Sequence, residues 1–379
     1  MKDIKKIALV TSFVLLFSIF GCKKKPLLER VKVSNQIAQE YIINNFRRKG
    51  VFVYGYNIKR KRRSRKNNMI RQLMTSRLLA EMCQEDPSLR IKHKRNVRFI
   101  MKYWYKEDKN TGYIFYNKKS KLGAIAMFLR TLVYSPFFEK YKETAKKLYN
   151  SIIKLQNKDG DFDPFFIDPP YRYNRERMLY FYSGEAILAM VEYAEKINDR
   201  SVLKAAIKSQ EYYIDKYVKA YIEGGVPGYY PAYVPWHAQS LNRLYKITKK
   251  QEYAEAVFIM TDKLLEILDT SKYVGRFYSP KFPQYGKPHA ASDGVYTEGL
   301  AYAYELAVML HDTKRQKKYL KALDKAIGNL ISLQVKDGGR REKGGFRTRV
   351  DSNYLRIDNT QHTVEAYMKI LKVVKAPLK

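Results

Sequence analysis

Six times along this 379-residue chain a small cluster of polar and aromatic residues opens an amphipathic helical stretch, and a second, lysine-richer helical stretch follows. The openings are Asn68-Met69-Ile70-Arg71-Gln72, Ser120-Lys121-Leu122-Gly123, Tyr182-Ser183-Gly184-Glu185, Pro235-Trp236-His237-Ala238-Gln239, Tyr296-Thr297-Glu298-Gly299 and Asn359-Thr360-Gln361-His362. They recur at intervals of roughly 50 to 64 residues, the period at which supersecondary units stack into solenoids or closed toroids. A unit of this kind cannot bury its apolar face alone, so the repeat predicts an all-α, single-domain array of paired helices. Representative pairs are Lys121–Leu132 with Phe138–Asn157 and Gly184–Ile197 with Val202–Tyr221. Two second helices end alike, in Leu155-Gln156-Asn157-Lys158-Asp159-Gly160 and Leu333-Gln334-Val335-Lys336-Asp337-Gly338, where glycine takes the left-handed conformation that stops a helix.

These six openings and the two Gln-x-x-Asp-Gly helix ends resemble the (α/α)6 toroid of six-hairpin glycosidases and related carbohydrate-active proteins. Gly344-Gly345-Phe346 followed by Arg356-Ile357-Asp358-Asn359-Thr360-Gln361-His362 is similar to the C-terminal toroids of glucuronyl C5-epimerases. The resemblance runs from about Tyr54 to the C-terminus. It implies that the first helix of each pair lines an inner ring and that the inner N-termini converge on one mouth.

On that arrangement Glu185 and Glu298, each near the start of an inner helix, are the candidate acid/base pair. Glycoside hydrolysis needs one protonated and one ionised carboxyl group. First-turn glutamates also cap helices and complement the dipole, so a capping role stands beside the catalytic one. His237 and His362, next to Trp236 and Gln361, are candidate bases for removing a proton from a uronate, with Arg71 or Arg356 neutralising its carboxylate. Arg71, Gln72, Tyr182, Trp236, Gln239, Asp293, Tyr296, Arg356, Asp358 and Gln361 are the candidate substrate contacts, since aromatic faces stack on pyranose rings and amides and carboxylates bind hydroxyls. His93, His289 and His311 are assigned nothing. No zinc or EF-hand spacing is present, and neither a metal nor a cofactor is expected.

The N-terminus carries Lys2, Lys5 and Lys6 before the apolar run Ile7 to Phe20, which is too short for a comfortable membrane span and fits a secretory leader. Ile19-Phe20-Gly21-Cys22 resembles the lipobox of bacterial lipoproteins, although Phe20 is bulky for its position. It implies removal of residues 1–21, lipidation at Cys22 and a membrane-anchored protein of the bacterial cell envelope. A tether and helix over 22–50 and a toroid over 51–379 complete the expected organisation.

The formal charge is +36, from 73 Lys and Arg against 37 Asp and Glu. In an exported protein such a field favours an anionic glycan or other envelope polymer over nucleic acid, for which no module is present. Part of the excess is concentrated in Lys59-Arg60-Lys61-Arg62-Arg63-Ser64-Arg65-Lys66, just before the first inner helix. The sequence therefore points to an enzyme of the glycosidase or uronate lyase/epimerase type acting on an anionic polysaccharide. The alternative is an envelope lipoprotein that binds glycan or protein without catalysis.

Overall fold

The computed structural model describes residues 25–226, 230–271 and 274–374, so Cys22, the apolar leader and Pro227-Gly228-Tyr229 lie outside the described residues. Among the described residues twelve α-helices form two concentric rings. After α1 (Leu27–Asn44), inner helices alternate with outer ones: α2 (Met69–Glu85) with α3 (Arg90–Tyr103), then α4 (Leu122–Val133) with α5 (Lys142–Leu155). Next come α6 (Arg175–Ile197) with α7 (Leu203–Ile214), α8 (Val234–Thr248) with α9 (Gln251–Leu265), and α10 (Ala290–Met309) with α11 (Thr313–Leu333). The last inner helix, α12 (Ile357–Val373), touches both α10 and α2 and closes the inner ring. This is the (α/α)6 toroid.

The burial pattern follows from the two environments. Every residue of α4 is buried, as an inner helix enclosed on all sides requires. In outer α5 only Ala145, Leu148, Ser151, Ile152 and Leu155 are buried, a three-four spacing that leaves the lysines in solvent. Helix α7 continues into a π-helical stretch, Asp215–Glu223.

The sixth outer helix is α1, from the opposite end of the chain. It packs on α12 and α11, buries Val31, Ala38, Tyr41 and Ile42, and joins Ser34 Oγ to Gln334 Oε1 at 2.7 Å. At roughly 1.5–3 kcal/mol for each large apolar side chain buried, this closure contributes substantially to stability. The boundary expected at residue 51 therefore moves to the start of α1, which belongs to the toroid. A repeated loop device makes the equivalence explicit. After α5, Gly160 lies against the Lys208 carbonyl of α7; after α11, Gly344 lies against the Ile37 carbonyl of α1, where an alanine Cβ would come within 1.9 Å of the oxygen. Both glycines have positive φ, so each position demands glycine twice over, for its backbone angle and for its close approach. The Gly344-Gly345-Phe346 motif is thus the clasp that seats α1.

Short antiparallel pairings cover the N-terminal mouth. The strands β1 (Gly55–Asn57), β2 (Arg62–Arg63) and β3 (Tyr354–Arg356) form one sheet in the order β2-β1-β3, tying the strap after α1 to the residues just before α12. The basic run Lys59–Lys66 is an ordered, exposed hairpin arm of this sheet beside the mouth.

The opposite half of the lumen is filled with ion pairs. Arg130 on α4 grips Glu192 on α6 through two bonds of 2.7 and 3.0 Å, Arg243 on α8 lies 3.3 Å from the same carboxylate, and Arg77 on α2 meets Glu365 on α12 at 2.7 Å. Beyond them a cavity of about 380 Å³ opens at the far end. No helix among the described residues is long and apolar enough to cross a membrane.

Candidate functional site

At the N-terminal mouth, α12 and the strand before it supply the centre of a cationic cluster. The Asp358 carboxylate accepts from Arg356 Nε and Nη2, at 2.5 and 2.8 Å, and lies 2.8 Å from Arg71 Nε of α2. Burial alone would raise its pKa, but Arg356 and then Arg71 outweigh burial and hold Asp358 ionised, below the ordinary carboxylate range. Two guanidiniums against one carboxylate leave the cluster with a spare positive charge. Arg71 also donates to the Tyr54 hydroxyl from the strap.

Two imidazoles stand beside this cluster. His362, one helical turn beyond Asp358, sits edge-on to the Trp236 ring with centroids 6.0 Å apart. Burial, with Arg71 and Arg356 adding to it against Asp358, drives its pKa down to about 4. His289, at the start of α10, is likewise lowered to about 4, by burial first and Arg356 second. Both rings are therefore neutral at physiological pH, and His362 can accept a proton. The two nitrogens of His289 face N–H donors, Arg356 Nη2 at 2.6 Å and the Ala291 amide at 3.0 Å. A neutral imidazole accepts at only one nitrogen, so one of these donors competes for an acceptor.

Tyr182 and Glu185 form the facing wall on α6. Lys121 stands over the Tyr182 ring at 5.7 Å, and Gly123 of α4 leaves room for both: a Cβ there would lie 2.2 Å from Glu185 Oε2. Helix α6 begins at Arg175, three turns before Glu185, so the expected first-turn capping role does not apply. One Glu185 oxygen is buried without a hydrogen-bond partner, and burial, only partly offset by Arg130 and Lys121, raises the pKa to about 8. Glu185 is a neutral acid at pH 7. Raising the pH from the ordinary glutamate value through about 8 must ionise it in the folded chain against a desolvation cost. Stability present at acidic pH is therefore lost across that window. Glu185→Gln should abolish that loss, which thermal unfolding measured from pH 5 to pH 9 would read as a flatter profile than wild type.

Several expected contacts lie elsewhere. Glu298 is the ninth residue of α10, not the second, and lines the far-end cavity with Arg77 and Glu365. Burial and, after it, the Glu365 charge raise its pKa. His237 points between α6, α7 and α8: its ring contacts Gln210 Nε2 at 3.1 Å and Ser183 Oγ at 3.2 Å amid Tyr213, Tyr217 and Tyr233. Burial lowers it to about 3, so it is a neutral core residue away from the lumen. Gln72 clamps the strap, accepting from Phe52 N and donating to Phe52 O. Asp293 accepts from Phe277 N and Asn329 Nδ2, fixing a loop to α11, and Tyr296 packs on Phe277. Gln361 donates to Glu365 and to His362 Nδ1. Gln239, one turn beyond Trp236, is fully buried with both amide atoms unpartnered.

The mouth thus gathers Arg71, Tyr182, Glu185, Trp236, Arg356, Asp358 and His362 from the expected set, and adds His289 and Tyr54. His289 precedes its helix in a loop, and no periodicity marks it. Glu298, His362 and Glu365 bring three potential ligand atoms within 4.8 Å of one another. Arg77 already occupies the place beside Glu365 where a cation would bring its charge.

No protein-family model and no curated protein sequence matches the chain. Solved structures do share the fold. A D-mannose isomerase superposes with a TM-score of 0.70 at 11% identity, covering 93% of this chain and 100% of the other. A sugar epimerase from a ruminal bacterium gives 0.68 at 13%, covering 92% and 99%. An unsaturated glucuronyl hydrolase specific for heparin gives 0.62 at 12%, covering 91% and 98%. At these identities the likeness is one of architecture.

Proposed function

We propose that the N-terminal mouth is the active site of a carbohydrate-active enzyme that moves a proton at a carbon next to a sugar carbonyl or carboxyl group. The observation that carries this reading is the pairing of two neutral imidazoles, His362 and His289, with two guanidiniums whose charge exceeds that of Asp358. His362 takes the proton from the carbon, the C–H electron pair moves toward the carbonyl oxygen, and Arg71 and Arg356 stabilise the resulting enolate. His362 handing that proton to the neighbouring carbon completes an isomerisation; a proton delivered to the opposite face by the protonated Glu185, which regains one from solvent as His362 releases its own, completes an epimerisation. Trp236 and Tyr182 supply ring faces for the sugar. Similarity of fold to a mannose isomerase and a sugar epimerase supports the same class.

Hydrolysis is the second reading, favoured by one observation: Glu185 is a protonated acid with a free oxygen. It lacks an ionised partner free to act as nucleophile: Asp358 is engaged by two arginines, and Glu298, although within 4.8 Å of His362, has its own pKa raised by burial and by Glu365. Incubation of neutral sugars and uronate-bearing oligosaccharides in D2O separates the two. Proton transfer washes deuterium into a carbon position, whereas hydrolysis releases a reducing end without exchange.

The spare positive charge favours an anionic sugar, and export with lipidation at Cys22 would place the toroid in the cell envelope facing such polymers. Labelled palmitate incorporated by the wild-type chain but not by Cys22→Ser is the expected result; equal labelling would refute the anchor.

A further inference from the structure

Between Glu40 and Glu81 the chain has no acidic residue and twelve cationic ones. The fold gathers much of this stretch at one rim. Arg63, Arg65 and Lys66 are exposed on the basic hairpin and line a groove of about 590 Å³ together with Arg47, Trp104 and Tyr116. Of the basic run only Lys61 has an ion-pair partner among the described residues, Glu342. The groove does not end there. Asn67 and Tyr116 also line a second, smaller hollow of about 150 Å³ that contains Lys119, Lys121 and Tyr171. Lys119 lies 4.9 Å from the Tyr171 ring centre and Lys121 5.7 Å from that of Tyr182. From the hairpin to the wall of the mouth there is thus a continuous path in which free cations alternate with aromatic rings.

That alternation fits one class of ligand. Acidic sugars present a carboxylate or sulfate on each ring and an apolar ring face, which cations and aromatic side chains match in turn. We propose that this path is a binding track for the chain of a polyanionic glycan whose terminal unit occupies the mouth. The inference rests on the mouth being a sugar site and adds that the substrate is a polymer, held several units from the reacting end. Charges at the hairpin contribute affinity and approach rate, not chemistry, and ionic strength weakens them.

The test uses the purified full chain, with galacturonate and its dimer and octamer as probes of equal charge per unit, binding being read by calorimetry at several salt concentrations. The octamer should bind at least about thirtyfold more tightly than the dimer, with a steep salt dependence. Arg63→Glu/Arg65→Glu/Lys66→Glu should erase that gain and flatten the salt dependence while leaving galacturonate and dimer binding unchanged. Tyr116→Ala, which keeps every charge, should lose part of the same gain. The track is overturned if octamer and dimer bind alike, or if the triple variant weakens galacturonate equally. It is also overturned if single-stranded DNA or phosphatidylglycerol vesicles bind the hairpin more tightly than the octamer does. Failure of all sugars, galacturonate included, would sink the reading of the mouth itself. Binding of galacturonate without a length effect would sink only the track.

Discussion

Replacing Glu192 by glutamine will destabilise the toroid by about 3–5 kcal/mol, the cost of leaving a buried charge without its partner. The Arg130 side chain is almost fully enclosed, and among the described residues Glu192 is its one ion-pair partner, through two short bonds. Glu192 in turn accepts from the Tyr134 hydroxyl at 3.0 Å and lies beside Arg243. Burial would raise its pKa, but Arg130 and then Arg243 overcome burial and hold it at about 2. Because the folded value is depressed, this stabilisation is complete above the ordinary glutamate pKa and disappears as pH falls toward about 2. Urea unfolding of Glu192→Gln should show the full loss at pH 7 and a smaller one at pH 3. Arg130→Met/Glu192→Leu should recover most of it, since removing both charges also removes the desolvation cost. A loss below about 1 kcal/mol at pH 7 would show that the pair does not hold the inner ring.

His362→Asn should lower turnover by about 10² to 10⁴-fold with little change in stability, the range typical of losing a positioned base. Asparagine keeps a polar group beside Trp236 and Asp358 and cannot take the proton. His237→Asn should do the reverse. Its imidazole is enclosed by Gln210, Ser183 and three tyrosines, so its loss lowers the unfolding midpoint and leaves the rate per folded molecule within a few-fold of wild type. Comparing kcat with the folded fraction for both variants distinguishes a catalytic imidazole from a structural one. Equal rate losses, or a larger one for His237→Asn, would reverse the assignment.

That contrast also shows what could be read from the residues alone. The repeat of six openings specifies the inner ring, because each must bury an apolar helix against its neighbours. It does not specify direction. Successive residues on a helix diverge by about 100°, so in a cluster such as Trp236-His237 or Arg71-Gln72 one side chain faces the lumen and its neighbour faces away. Trp236 and Arg71 reach the mouth; His237 and Gln72 hold the shell around it. Axial depth was equally hidden. The polar, aromatic segment Arg175–Phe181 and the small-residue segment Ala290–Val295 look like loops, yet they are the first turns of α6 and α10. Glu185 and Glu298 consequently sit deep in the toroid, and Glu298 reaches the far end. The role of α1 was out of reach for a different reason: its partner α12 lies far away in sequence, Ser34 and Tyr367 being 333 residues apart, and no local pattern in α1 names it.

The measurement that bears most directly on the mouth as a proton-transfer site for sugars is proton NMR of the sugar panel in D2O, with wild-type chain and His362→Asn side by side. Deuterium should appear at a carbon next to the carbonyl or carboxyl group with the wild-type protein and be absent with the variant. Cleavage without exchange, or exchange that survives the loss of His362, would contradict it.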